Sequence, residues 1–127
     1  MIVGVGVDMS DTRRIKTSID KFGDRFLNKI FTKNEIAFCK KRVRFVESLT
    51  KMFSIKEALL KAISNTRGIF WKDMEIFHNP DGKPYVKIYN MAHKNLMDKI
   101  GDRSFNIEVS VTDEIPYVCA FVIIESF

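Results

Sequence analysis

The sequence predicts an α+β domain, and three observations carry that expectation. The opening run Ile2-Val-Gly-Val-Gly-Val7, ending at Asp8, alternates as a strand does. Apolar residues then recur at helical spacing through the first half of the chain. Finally, residues 105–112 alternate cleanly and residues 117–125 are apolar on both faces, as in a central strand. The resulting order, β-α-α-α-β-β-α-β-β, is that of an α+β domain. With 127 residues and 46% apolar content, residues 1–127 are expected to form one domain with a real core.

In the first strand, residues 2–8, Val3, Val5 and Val7 share one face and Gly4, Gly6 and Asp8 the other. The second face carries almost no side chains until the carboxylate, so another element or a ligand can come close. Ser10-Asp11 offers a helix N-cap, and Ile15, Ile19, Phe22 and Phe26 make a single stripe after it. Thr32-Lys-Asn-Glu35 has the pattern of a capping box opening a short helix. A longer helix is expected over about residues 45–65, buried through Phe45, Leu49, Met52, Phe53, Leu60 and Ile63. Strands at 74–78 and 85–89 flank the turn Asn79-Pro-Asp-Gly82. Residues 91–100 read as a helix stopped by Gly101, and Thr112 to Pro116 make the turn between the last two strands. No internal repeat, linker or low-complexity tract interrupts this order.

Composition narrows the function. No apolar run is long enough to span a bilayer, and the start lacks the pattern of a signal peptide. Cys39 and Cys119 form no C-x-x-C pair, which suggests reduced thiols and a cytoplasmic location. His78 and His93 lack zinc-site spacing, so any metal is expected to be oxygen-bound. Residues 1–61 hold 14 Lys and Arg against 7 Asp and Glu, whereas residues 62–127 hold 7 against 9. A basic first half implies an anionic partner. A nucleic-acid binder would set aromatics among its basic residues, whereas Phe22 and Phe26 follow the apolar stripe, so nucleic acid is not expected.

The chemistry-bearing residues are Asp8, at the end of the bare strand face, and Glu57, inside Phe53-Ser-Ile-Lys-Glu-Ala-Leu-Leu-Lys-Ala62. Two carboxylates from a strand and a helix suit a hard cation. Glu57 and Lys61, four apart, could instead form an ordinary surface ion pair worth about 0.2–0.5 kcal/mol. No P-loop or nucleophile-elbow pattern is present, and Gly4-Val-Gly6 lacks the third glycine of a dinucleotide fingerprint.

Taken in order, these pieces resemble the holo-[acyl-carrier-protein] synthases, the short class of 4′-phosphopantetheinyl transferases. The resemblance runs nearly end to end. It rests on Gly4-Val-Gly-Val-Asp8, Arg13-Arg-Ile15, Arg25-Phe26, Phe31-Thr32 with Glu35, and Phe53-Ser-Ile-Lys-Glu-Ala58 with Lys61-Ala62. Further on it includes Trp71-Lys-Asp-Met-Glu-Ile76, Asp81-Gly-Lys-Pro-Tyr85, and Val109-Ser-Val-Thr112 with Tyr117 and Ala120.

The resemblance implies a homotrimer with active sites at subunit interfaces. It also implies transfer of the phosphopantetheine arm of coenzyme A to a serine of apo acyl carrier protein, with adenosine 3′,5′-bisphosphate as the other product. Asp8 and Glu57 match the family's Mg²⁺ ligands, and Lys61 is expected to reach a pyrophosphate oxygen. Glu57 or a water held by the metal are candidates to accept the serine proton. Arg44, Gly82, Lys83, Pro84, Ser110 and Thr112 correspond to regions that contact coenzyme A. Arg14, Lys21, Arg25 and Lys29 could steer the acidic carrier protein, with Phe26 either an apolar anchor or a core residue.

Three departures stand out. Asp113 occupies a position where the family usually has histidine; a carboxylate there is expected to repel a coenzyme A phosphate, the alternative being that it faces solvent or pairs with a nearby lysine or arginine. The loop Ile63-Ser-Asn-Thr-Arg-Gly68 is shorter and less glycine-rich than usual, with Arg67 able to compensate in charge. Met52 stands where arginine is common, with Lys51 beside it. A nonenzymatic coenzyme A or anion-binding module on the same fold is the alternative reading, supported mainly by Asp113.

Overall fold

A computed structural model describes all residues, Met1–Phe127. Its first strand, β1 (Ile2–Asp11), is followed by helices α1 (Thr12–Phe22), α2 (Asp24–Ile30), α3 (Lys33–Lys40) and α4 (Phe45–Ile63). A single 3-10 turn, Trp71–Asp73, leads into the hairpin β2 (Met74–His78) and β3 (Pro84–Ile88). Helix α5 (Asn90–Ile100) and strands β4 (Phe105–Glu114) and β5 (Tyr117–Ser126) complete the α+β domain. This matches the expected order, with the first helical stretch divided in two. Gly23, at φ +57°, breaks the helix between Phe22 and Asp24, a left-handed conformation that glycine adopts without steric cost. The stripe continues in phase across the break, but Phe22 is left half exposed.

β5 is the central strand of an antiparallel sheet ordered β1-β5-β4, which accounts for its apolar character. One face of that sheet, with Val109, Ala120, Val122 and Ile124, packs on α4 to make the core. Helix α4 is the centre of the molecule, burying Leu49, Met52, Ile55, Leu59 and Ile63. The expected turn closes the hairpin of the second sheet, with Gly82 N–H donating to Asn79 O at 2.8 Å and Gly82 at φ +91°.

A buried ion pair ties the layers together. Lys56 and Glu35 are both fully buried. The Lys56 ammonium donates to Glu35 Oε1 (2.8 Å), Ile30 O (2.7 Å) and Trp71 O (3.2 Å), so each of its three protons has an acceptor. Glu35 completes the expected capping box with Thr32 and also accepts Ile76 N–H at 2.8 Å. Burial pushes the Lys56 pKa down, and Glu35 opposes that shift. Nearby, burial pushes the Cys39 thiol up to about 12.

Candidate active site

The site begins with a register match between β1 and α4. A methyl group added to Gly4 would collide with the Ala62 carbonyl oxygen, and one added to Gly6 with the Ala58 carbonyl oxygen. Next along the strand is Asp8, which meets Ser54. Two strand residues advance about 6.6 Å and four helical residues about 6.0 Å, so Gly4, Gly6 and Asp8 keep step with Ala62, Ala58 and Ser54. The bare strand face therefore serves close approach of the helix. The first side chain on it, Asp8, emerges where that contact ends.

Asp8 Oδ2 accepts Ser10 Oγ–H at 2.7 Å and Ser54 Oγ–H at 2.8 Å. Lys61 Nζ donates to Val7 O at 2.8 Å and lies 3.9 Å from Asp8 Oδ1. The i, i+4 surface pair is thus not formed, because Lys61 turns toward β1 and leaves Glu57. Glu57 lines the same cleft of about 550 Å³ as Asp8, together with Ser10, Arg14, Phe26 and Phe53. Its pKa is raised, first by burial and then by the charge of Asp8, with Lys61 acting in opposition.

Two carboxylates that repel each other across a cleft are relieved by a cation. No cluster of three or more His, Cys, Asp or Glu side chains exists that could cage a metal alone. The donor set fits Mg²⁺, which uses one or two carboxylates and takes its remaining ligands from water and substrate phosphates.

A second cavity, of about 540 Å³, flanks α4 on its neighbouring face and is basic. Arg42, Arg44, Lys51, His78, Gly82 and Pro84 line it, which brings together three of the residues expected to contact coenzyme A. His78 stacks on Phe38 with ring centroids 4.1 Å apart, and Arg42 lies 4.6 Å from the same phenyl ring. Lys83 points elsewhere and pairs with Glu108 at 3.0 Å.

Asp113 is not a bare negative charge. Its Oδ2 lies 2.9 Å from Lys51 Nζ, so the expected repulsion of a phosphate is offset within the chain. The Ser64–Gly68 loop is pinned from α5, where the Asn95 amide donates to both Asn65 O and Arg67 O at 2.9 Å.

Ser110 and Thr112 lie on the sheet face turned away from α4 and line neither main cavity. That outer face is apolar along its middle. Val5, Val7, Met9, Tyr117 and Phe121 are each 41–70% exposed, and Val7, Phe121 and Ser110 sit in one cross-strand row. Among the proposed docking residues, Arg14 and Phe26 reach the Asp8 cleft. Lys21, Arg25 and Lys29 are exposed on α1 and α2, with Lys21 Nζ 5.3 Å from the Phe22 ring.

Sequence reasoning missed Ser54 and Ser10 as partners of Asp8. The available signal for Ser54 was its phase, four residues before Ala58 and eight before Ala62. It also missed the burial of Lys56, although that residue follows Met52 by one helical turn.

Comparison with known proteins agrees with this architecture. The model of the 4′-phosphopantetheinyl transferase superfamily matches residues 4–121. Curated relatives include the holo-[acyl-carrier-protein] synthase of Agrobacterium fabrum, 42% identical across 99% of this chain and 96% of the relative. The enzyme of the same name from Xanthobacter autotrophicus is 40% identical across 99% and 96%. Among solved structures, the holo-[acyl-carrier-protein] synthase of Neisseria meningitidis superposes with a TM-score of 0.85 at 33% identity, covering 98% of this chain and 99% of that one. A Bacillus anthracis holo-(acyl-carrier-protein) synthase in complex with CoA (3′,5′-ADP) gives 0.79 at 26% identity, covering 100% and 99%. The family-model match and the full-length similarity lead to one conclusion: the chain belongs to the 4′-phosphopantetheinyl transferase superfamily.

Proposed function

We propose that this chain transfers the 4′-phosphopantetheine arm of coenzyme A to a serine of apo acyl carrier protein, in a Mg²⁺-dependent reaction that releases adenosine 3′,5′-bisphosphate. The observation that carries the reading is the convergence of Asp8, Glu57 and Lys61, from β1 and one face of α4, beside a cleft that Arg14 also lines. Asp8 and Glu57 would hold the magnesium ion, which supplies charge neutralisation of the pyrophosphate and polarises its phosphoryl oxygens.

The chain's own groups do the rest. The serine Oγ–P bond forms as the pyrophosphate P–O bond to the leaving bisphosphate breaks. Lys61 exchanges its Val7 carbonyl for a pyrophosphate oxygen and stabilises the charge that develops there. Glu57 lines the cleft with its pKa raised by burial and by Asp8, which suits it to accept the seryl proton. The basic cavity beside Arg44, Gly82 and Pro84 suits the phosphorylated adenosine end of coenzyme A.

Arg14, Lys21, Arg25 and Lys29 steer the acidic carrier protein, and Phe26, half-buried at the cleft, adds an apolar contact. The apolar outer face of the β1-β5-β4 sheet supports assembly into a homotrimer. In such an assembly Ser110 and Thr112 would complete a neighbouring subunit's coenzyme A site, along with Lys83. The free thiols Cys39 and Cys119 suit the cytoplasm, and no helix is long and apolar enough to cross a membrane. The pairing of Asp113 with Lys51 weakens the nonenzymatic alternative, which rested mainly on that carboxylate.

Mass spectrometry of an apo carrier protein incubated with this chain, coenzyme A and Mg²⁺ tests the reading. A gain of about 340 Da, the mass of the phosphopantetheine group, is expected. An unmodified carrier protein would refute it.

A further inference from the structure

The hydroxyl groups at Asp8 lead to a conclusion about how its carboxylate is aimed. Ser10 and Ser54 both donate to Oδ2, at 2.7 and 2.8 Å, and neither donates to Oδ1. Ser54 is fully buried, and its oxygen also lies 3.2 Å from the Asp8 backbone carbonyl. A hydroxyl has one proton, so the shorter contact to the carboxylate takes the larger share of it. Ser10 approaches from two residues further along the same strand face. The last torsion of an aspartate is intrinsically broad and roughly two-fold, so without these donors its two oxygens would interchange easily. With both donors on one oxygen, Oδ2 belongs to the protein and Oδ1 is left toward the cleft, accepting no hydrogen bond and facing only the Lys61 ammonium at 3.9 Å.

We propose that Ser54 and Ser10 are positioning residues that fix Asp8 as a one-oxygen ligand for a divalent cation. The inference rests on the metal-dependent reading above. Neither serine is assigned contact with the substrate. Hydrogen-bond partners that orient metal ligands typically account for 10–100-fold in metal affinity. The substitution Ser54→Ala leaves the packing of the strip intact, because alanine already fills the two equivalent positions, Ala58 and Ala62. Ser10, partly exposed near the end of β1, provides a second variant that does not disturb the core.

The test is Mn²⁺ titration by electron paramagnetic resonance on the folded chain, without coenzyme A or turnover, with thermal unfolding of each variant as the control for fold. Ser54→Ala and Ser10→Ala are each expected to weaken Mn²⁺ binding about tenfold. Ser10→Thr, which keeps the hydroxyl, is expected to bind as the parent does. In the transfer assay the Mg²⁺ concentration needed for half-activation should rise, while kcat at saturating Mg²⁺ stays near that of the parent. Parent-like Mn²⁺ affinity in the double Ser10→Ala, Ser54→Ala variant would overturn the inference and leave the transferase reading standing. A parent chain whose Mn²⁺ binding is unaffected by Asp8→Ala would overturn both the inference and the assignment of Asp8 as a metal ligand.

Discussion

Replacing Lys56 by methionine tests the buried ion pair at the centre of the fold. Methionine has nearly the length of lysine, so little cavity is left and the electrostatic loss dominates. The change strands the fully buried Glu35 carboxylate and removes the donor from Ile30 O and Trp71 O. Breaking one partner of such a pair costs about 3–5 kcal/mol. Unfolding entropy of about 2.1 cal/mol/K per residue gives roughly 0.27 kcal/mol/K for this chain, so Tm should fall by roughly 11–19 °C. A loss of that size is a large share of the roughly 5–15 kcal/mol that holds a domain folded. Adding Glu35→Leu should restore only part of it, because the Ile76 and Thr32 backbone N–H groups still lose their acceptor. Thermal unfolding followed by circular dichroism reads these outcomes. A Lys56→Met variant within about 4 °C of the parent would refute the reasoning, since that corresponds to about 1 kcal/mol.

Four further outcomes follow from the geometry. Gly6→Ala drives a methyl group into the Ala58 carbonyl and should cost about 1–3 kcal/mol in thermal unfolding, because backbone cannot yield as a side chain can. Glu57 has a raised folded-state pKa, so its ionised form costs stability above that pKa, and the cost fades as pH falls to the ordinary carboxylate range. Glu57→Gln without divalent cation should therefore raise Tm at neutral pH, lose that advantage near pH 4, and abolish transfer when Mg²⁺ and both substrates are supplied. Asp113→Ala frees Lys51 from a partly exposed pair and should change coenzyme A affinity by less than about fivefold in calorimetry. Reversing Arg14 and Arg25 to Glu should raise KM for the carrier protein and flatten its salt dependence, with coenzyme A affinity changing less.

The fold was legible wherever one residue type has one structural use. Residues 117–125, apolar on both faces, had to be central, and β5 is. Thr32 and Glu35 form the capping box their spacing suggests. Gly23 was harder to read because Ile15, Ile19, Phe22 and Phe26 keep helical phase through it, although the backbone there turns left-handed. Asp8, Glu57 and Lys61 could be found because their motif is dense, but the structure shows Lys61 turned toward Val7. Lys56 escaped notice because lysine ordinarily signals a surface position, and only a partner distant in sequence, Glu35, makes its burial tolerable. Asp113 could be read either as a bare charge or as one half of an ion pair, and only the fold, which brings Lys51 from another element to it, decides for the pair.

The glycines of β1 have a consequence for how this site can change over generations. A tight side-chain contact can drift, because a gain in bulk on one side can be answered by a loss on the other. Here the atoms that Gly4 and Gly6 would strike are carbonyl oxygens, and every residue type carries one. Trimming Ala58 or Ala62 to glycine would not remove the obstacle, and it would cost about 1 kcal/mol of helix propensity each. No pair of reciprocal substitutions leads away from the present arrangement. The span from β1 to α4 is thus set by main chain alone, and it holds Asp8 opposite Glu57 while the surrounding side chains remain free to vary.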